Sequence, residues 1–437
     1  MKEIAEQIFR ETLAAIDIRA TLARKVARED SIVLAGDARI DLEAFRDIVA
    51  IAFGKAAFAM AEGLTDVLSP DFRADGILVV PAAPARKLPG WESFIGGHPT
   101  PTSESFRAGR AILDRLARCD DRSLIFFLLS GGGSSMVEQP LDSNITLADF
   151  QRLHSGLVTC GAPIEEINVI RKHLSATKGG RLAATAPRSM KVTFAISDVP
   201  EGQESALASG PTLPDPSTIR DAEQIAEEYR LAETFDRPVR AIFEEHRLLE
   251  TPKEGDAAFA NAHFLLLLGL HDLFHAAHHA CEARGYVCLC DDSTDGWPIE
   301  EAADHLLANL ETLKLANPGL GVAVLADGEV SSPVTGDGAG GRNSAFVLAC
   351  VPKIAEKGIT VLSAGTDGID GNSPAAGAVA DGETFSRAEA AGLDPCEFMQ
   401  RSDAYNLFAR LGDAVITGPT GNNLRDLRIL LAVPEPK

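Results

Sequence analysis

Leu124-Ile125-Phe126-Phe127-Leu128-Leu129-Ser130-Gly131-Gly132-Gly133-Ser134-Ser135-Met136 opens with six apolar residues and no polar alternation. A strand that is apolar on both faces must be covered on both, as in a parallel sheet flanked by helices. The glycines and serines that follow mark a turn at the strand's carboxyl end, where ligands bind in open α/β sheets. Three successive glycines let backbone amides turn inward around an anion, and the serines add hydroxyl donors. A plain flexible turn is the alternative reading of the same letters.

Outward from that segment the same grammar repeats. Strands are expected at 48–53, 76–80, 124–129 and 192–196, with helices after Gly54 and over 103–117, 146–159 and 164–184. An amphipathic helix is expected over 3–26, with Ile4, Ile8, Phe9, Leu13 and Ile16 at helical spacing. After Ser217 the chain is helix-rich and charged, and 251–256 reads as a linker. A second alternation follows: helix 261–284, strand 286–290, helix 299–315, strand 321–325, helix 343–357 and strands 360–364 and 427–433. Two α/β lobes are expected, 1–250 and 251–437, the first with a parallel sheet.

The 437 residues carry 41 basic and 63 acidic side chains, a formal net charge of −22. Such a surface repels nucleic acid and anionic lipid, so neither is expected as a partner. An anion site would have to be built locally, from amides and a few placed cations. Seven cysteines stand without a CxxC pair, which suits a reducing cytoplasm. The first residues lack the apolar core of a targeting signal, and no run is long enough to span a bilayer.

The remaining candidates also sit at strand ends. Gly54-Lys55-Ala56 puts a lysine at a helix start, where it serves either as a surface charge or as a cation beside an anion-binding N-terminus. Arg171-Lys172-His173 and Lys178 form a basic island in an acidic chain; solvated helix charge is the alternative. Asp198, past a strand end, is placed to hold Mg²⁺, to accept a hydroxyl proton, or only to cap a helix. Gly336-Asp337-Gly338-Ala339-Gly340-Gly341-Arg342-Asn343 fits G-x-G-x-x-G by letter and ends in an arginine suited to bidentate phosphate or carboxylate contact. Asp367 and Asp370 lie among glycines at a further strand end. No G-x-x-x-x-G-K-[ST] is present, which excludes a P-loop nucleoside triphosphatase.

Together these segments resemble the class II glycerate 2-kinases, whose C-terminal lobe is the MOFRL domain. The resemblance runs nearly end to end. It includes Gly97-His98-Pro99-Thr100-Pro101, Asn168 to Ser175, Lys178-Gly179-Gly180-Arg181, Ala208 to Pro214, and Thr417 to Asn423. It implies a Rossmann-like N-terminal lobe, a smaller α/β MOFRL lobe and an active site in the cleft between them. The activity implied is ATP- and Mg²⁺-dependent phosphorylation of D-glycerate at its 2-hydroxyl. The family's lysine, aspartate and arginine fall on Lys55, Asp198 and Arg342. On this reading Lys55 and Arg342 grip the substrate carboxylate and the moving phosphoryl group. Ser130 to Ser135, the basic island and Gly340, Gly341 and Asn343 hold anionic groups, and Asp198 either orients or deprotonates the attacking hydroxyl or shares the metal with Asp367. A related small sugar acid and NAD(P)H-dependent reduction of hydroxypyruvate are the competing activities, and a homodimer is compatible with all three. The family's acidic run after the strand-end aspartate is replaced here by Pro200-Glu201-Gly202-Gln203-Glu204.

Overall fold

A computed structural model describes every residue except Ala85, Asp198, Pro200, Glu201, Asn423, 434–437 and the side chain of Ala232. The chain divides into two compact units, Ile18–Gly269 and a second made of Met1–Asp17 with Leu270–Lys437. The division falls after Gly269, not near 250 as the linker composition suggests. The opening helix is also not one piece. Lys2–Ala15 belongs to the second unit and Ile18–Lys25 to the first.

The first unit begins with a small antiparallel meander, β1 (Val26–Glu29), β2 (Ile32–Ala35) and β3 (Ala38–Asp41). Its main sheet comprises β4 (Asp47–Phe53), β5 (Asp75–Val80), β6 (Trp91–Ile95), β7 (Ser123–Leu129), β8 (Met190–Ile196) and β9 (Ala262–Leu268). All six strands run parallel in the order β6-β5-β4-β7-β8-β9. β4, β7 and β8 are buried along nearly their whole length, which is why they carry no polar alternation. Their packing against flanking helices, with Phe53, Phe127, Ile112 and Leu182 inside, is the core on one face of the sheet. A separate helical layer between β7 and β9 has its own core, including Phe150, Ile170, Phe235 and Val239.

β9 corrects a reading. The run at 262–268 was expected as the start of a long helix, but it is the edge strand, and the helix covers only Leu270–Glu282. A short continuous apolar run does not by itself distinguish buried strand from buried helix. The expected helix over 164–184 also breaks, into Ile164–Leu174 and Arg181–Thr185, with Gly179 and Gly180 at positive φ between them.

The second unit holds a mixed sheet of β10 (Val287–Asp291), β11 (Val322–Asp327), β12 (Ile359–Gly365), β13 (Gly377–Asp381), β14 (Ala414–Val415) and β15 (Asp426–Ala432). Its order is β10-β11-β15-β12-β13-β14, so the last strand in the chain lies in the interior of the sheet, antiparallel to both neighbours. Helices Ile299–Ala316 and Arg342–Ile354 cover one face, burying Leu306, Leu310, Phe346 and Val351. The opening helix Lys2–Ala15 joins this unit, and the Lys2 ammonium pairs with Asp413 at 2.9 Å.

At Gly377, β13 passes β12 so closely that a Cβ would lie 1.9 Å from the Ser363 carbonyl oxygen. Gly377→Ala is therefore expected to destabilise this unit by at least about 1–3 kcal/mol. The check is thermal unfolding followed by circular dichroism, where an unchanged midpoint would contradict the packing described.

Candidate functional site: an anion cradle in the first unit

The cradle is set by the central pair of strands. β4 and β7 end in register, Phe53 opposite Leu129, so the two following turns emerge side by side. They are laced together. Ser130 N–H donates to the Phe53 carbonyl (3.2 Å), Lys55 N–H to that of Gly131 (2.9 Å), and Ala56 N–H to Ser130 Oγ (3.0 Å). The approach excludes a side chain at Gly54, whose φ is +121° and whose Cβ would lie 2.3 Å from Ser130 Oγ. The N–H groups of Gly131 and Gly132 take no partner among the described residues. Lys55 and His98 converge above Gly132: a Cβ built there would meet Lys55 Cγ at 3.4 Å and His98 Cε1 at 3.5 Å. His98 Nδ1 lies 3.2 Å from Ser135 Oγ. Burial, aided by the Lys55 charge, pushes the His98 pKa down and keeps the ring neutral.

A string of polar groups leads from the loop to Arg171. Ser134 Oγ lies 2.8 Å from Ser209 Oγ, Ser209 donates to Asn168 Oδ1 (3.3 Å), and Arg171 Nη1 reaches the same oxygen at 3.5 Å. Ser209 and Ala208 both hold positive φ, a strained pairing for non-glycine residues, at the point where this segment meets the loop. Arg171 is only 9% exposed, has no carboxylate partner among the described residues, and leaves Nε without an acceptor. Burying a guanidinium without an ion pair is costly. Its pKa is accordingly lowered by burial. The arrangement is that of a cation prepared for an anion from outside the chain.

The rest of the basic island has a different role. Lys172 pairs with Asp215 at 3.0 Å. The His173 side chain is enclosed between the Val169 carbonyl and Glu250. Lys178 is fully buried and donates to Glu138 Oε2 (2.6 Å), the Ser134 carbonyl (2.6 Å) and the Val137 carbonyl (3.4 Å). These three were expected to hold substrate anions. Their donors are taken by the protein, and Lys178 instead braces the glycine loop from below.

The glycine-rich run of the second unit is also internally satisfied. The Asp370 carboxylate accepts from the N–H groups of Gly341, Asn343 and Ser344 at 2.9–3.0 Å and from Ser344 Oγ at 2.6 Å. Gly340 N–H donates to Asn372 and Ala339 N–H to Asp403. Asn343 Oδ1 accepts from Ser363. The amides expected to cradle phosphate thus hold the chain's own carboxylate, the anion a helix N-terminus favours. Arg342 lies between Asp426 (2.5 Å) and Glu329 (2.7 Å), and these carboxylates drive its pKa up. Asp367 approaches Asp426: a Cβ on Gly365 would meet their Oδ1 atoms at 3.0 and 3.3 Å. Asp198 lies outside the described residues, and among those described no three His, Cys, Asp or Glu groups form a metal cage.

The cradle also recruits residues that the sequence reading did not assign: His98, His154, Asn168 and Ser209. His98, Asn168 and Ser209 lie inside segments already singled out, and that was their signal. His154, in mid-helix, had none.

A parallel sheet whose central strand ends carry a lysine and a glycine loop, linked through hydroxyls to a buried guanidinium without a carboxylate partner among the described residues, offers the groups that a protein handling small anions needs. Comparison with known proteins narrows it. Residues 4–244 match a domain of unknown function, DUF4147, and residues 322–426 match the MOFRL family. A D-glycerate 2-kinase of Thermotoga maritima is 34% identical over 88% of this chain and 91% of its own. A putative hydroxypyruvate reductase of Agrobacterium vitis is 35% identical over 88% and 86%. A crystal structure of glycerate kinase from Thermotoga maritima superposes with a TM-score of 0.84 at 31% identity, covering 99% of each chain. The chain belongs to the glycerate 2-kinase family.

Two outcomes test the geometry. Lys178→Met leaves Glu138 buried and unpaired, at an expected cost of about 3–5 kcal/mol. Lys178→Met with Glu138→Leu recovers much of it, as denaturant midpoints would register; equal losses would refute the pairing. His154, held neutral by burial and by Arg171, Lys178 and His98, titrates at about 4 in the folded chain against 6.5 for an unperturbed histidine. The unfolded chain therefore binds a proton across pH 4–6.5 that the native one refuses, so stability rises with pH over that window. In His154→Gln the rise is expected to be shallower when urea midpoints are compared at about pH 5 and pH 7.

Proposed function

We propose that this chain is a cytoplasmic D-glycerate 2-kinase, transferring the γ-phosphoryl group of ATP to the 2-hydroxyl of D-glycerate. The observation that carries the reading is the buried, unpaired Arg171 strung to the glycine loop beside Lys55, an anion grip inside a protein of net charge −22. The names of the relatives supply the reaction; the cradle supplies a place for its charged groups. All seven cysteines are free, in keeping with a reducing compartment.

Phosphoryl transfer depends mainly on positioning and charge stabilisation. The substrate hydroxyl oxygen bonds to the γ-phosphorus as the bond to ADP breaks, and the hydroxyl proton leaves to a base. The unpartnered Gly131 and Gly132 amides and the Lys55 ammonium are suited to a phosphate, since they offer donors and charge without covalent chemistry. Asp198 remains the expected proton acceptor. Magnesium accompanying ATP needs only one or two protein carboxylates beside the phosphates. Asp367, at the end of β12 and close to Asp426, is the carboxylate assigned to that need. When bound, the ion would neutralise phosphate charge. The neighbouring acidic cluster makes Arg342 a guanidinium that a phosphate must win from Asp426 and Glu329, so its removal also tests the reading.

The hydroxypyruvate reductase reading has less support. Dinucleotide binding needs open amides at the G-x-G-x-x-G turn, and here Asp370, Asn372 and Asp403 occupy them.

A coupled assay with ATP, Mg²⁺ and D-glycerate is expected to show turnover, with phosphorus NMR placing the phosphate on carbon 2. Oxidation of NADH by hydroxypyruvate in a parallel assay, without kinase turnover, would reverse the assignment. Lys55→Ala and Arg342→Ala are each expected to lower turnover on the order of 10²–10³-fold; near-normal rates in both would remove them from the mechanism. A panel of small hydroxy acids then ranks D-glycerate against four-carbon relatives.

A further inference from the structure

Arg171 is held at one end by Asn168 and at the other by an imidazole: Nη2 lies 3.2 Å from His154 Nδ1. A guanidinium only donates, so Nδ1 carries the lone pair and the ring's proton sits on Nε2. A protonated histidine cannot make this contact. Burial beside Arg171, Lys178 and His98 keeps the ring in the required neutral form. His154 is therefore an uncharged acceptor that fixes the guanidinium plane without neutralising its charge. A carboxylate in the same place would have made an ion pair and closed the grip. The partners leave Nε, in a buried setting, as a donor without an acceptor. A planar guanidinium fork with a free edge matches a carboxylate in two parallel bonds. The loop amides and Lys55 form a second, separate anion contact on the same cradle, and a phosphorylated acid presents two anionic groups.

Resting on the kinase reading, we propose that Arg171 grips the carboxylate of the hydroxy acid and that His154 is the positioning residue that aims it. His154 touches the guanidinium and not the substrate, so its effect should fall on recognition of the acid rather than on the chemical step.

The experiment compares His154→Leu, which has no acceptor, with His154→Asn, whose Oδ1 stands one bond from Cγ as Nδ1 does and can take the same hydrogen bond. Each is assayed as the full-length enzyme with both substrates varied. The Leu variant is expected to raise KM for D-glycerate by about tenfold or more, the usual effect of losing a charge-assisted contact. KM for ATP should stay within about twofold and kcat within about threefold, and Asn should restore most of the loss. A rise confined to KM for ATP would mean that Arg171 serves the nucleotide phosphates and would overturn the assignment. So would an unchanged KM for D-glycerate, or equal defects in Leu and Asn with native unfolding midpoints. If the Leu variant does not fold, His154→Phe, a ring of similar size with no acceptor, replaces it with the same expected split. Wild-type enzyme that fails to phosphorylate D-glycerate would remove the kinase reading; an active wild type with insensitive variants would remove only this inference.

Discussion

Lys178 lies with its ammonium out of water, between Glu138 and the carbonyls of Ser134 and Val137. Glu138 in turn accepts from the Ser175 hydroxyl and the Gln139 amide. A pair enclosed in this way adds little net stability against an apolar substitute, but half of it alone is very costly. It therefore acts as a constraint on shape. The end of the glycine loop must stand where the ammonium can reach its carbonyls, and the segment carrying Lys178 must return beneath it. With the loop so fixed, Ser134 meets Ser209, Ser135 meets His98, and the approach to Arg171 is set.

Arg342 and Arg171 are held in opposite ways. Arg342 is flanked by Asp426 and Glu329, which hold it charged and oriented. Arg171 has only neutral neighbours in hydrogen-bond contact among the described residues, an imidazole and an amide. A strongly acidic chain can draw an anion inward only where carboxylates have been kept off the cation, and Arg171 meets that condition. The helix N-terminus at 341–344 shows the reverse case, in which an internal carboxylate has already filled the position a phosphate would seek.

Much of this fold could be read from the residues, because buried parallel strands declare themselves as apolar runs and their ends as glycine and hydroxyl clusters. Such runs recovered β4, β5, β7 and β8. They were ambiguous at β9, where edge strand and helix share one composition, and silent at β6, whose Trp91-Glu92-Ser93-Phe94-Ile95 has no clear period. In the cradle, Lys55 and the loop were apparent from their place after a strand. The basic island misled because a cation's role depends on what faces it. Glu138 lies 40 positions before Lys178, and Asp215 lies 43 after Lys172. Local spacing carries no trace of either partner. His154 was invisible for the same reason: a histidine in mid-helix becomes meaningful only when the guanidinium beside it is seen to lack a carboxylate.

The sheet of the second unit has a consequence for how the polypeptide is made. Its interior strand, β15, is made after the other five described strands of the sheet, and the helix that packs with this unit, Lys2–Ala15, is made before all of them. That helix meets its first partner in the unit, Leu270–Glu282, only after the whole Ile18–Gly269 segment has been made, and the sheet it also packs on is complete only once Asp426–Ala432 has followed. The Ile18–Gly269 unit, whose strands are contiguous in the chain, can close long before that. A premature stop ahead of residue 426 would consequently yield a product with one finished half and one that has lost its middle strand, a natural client for chaperones and proteases.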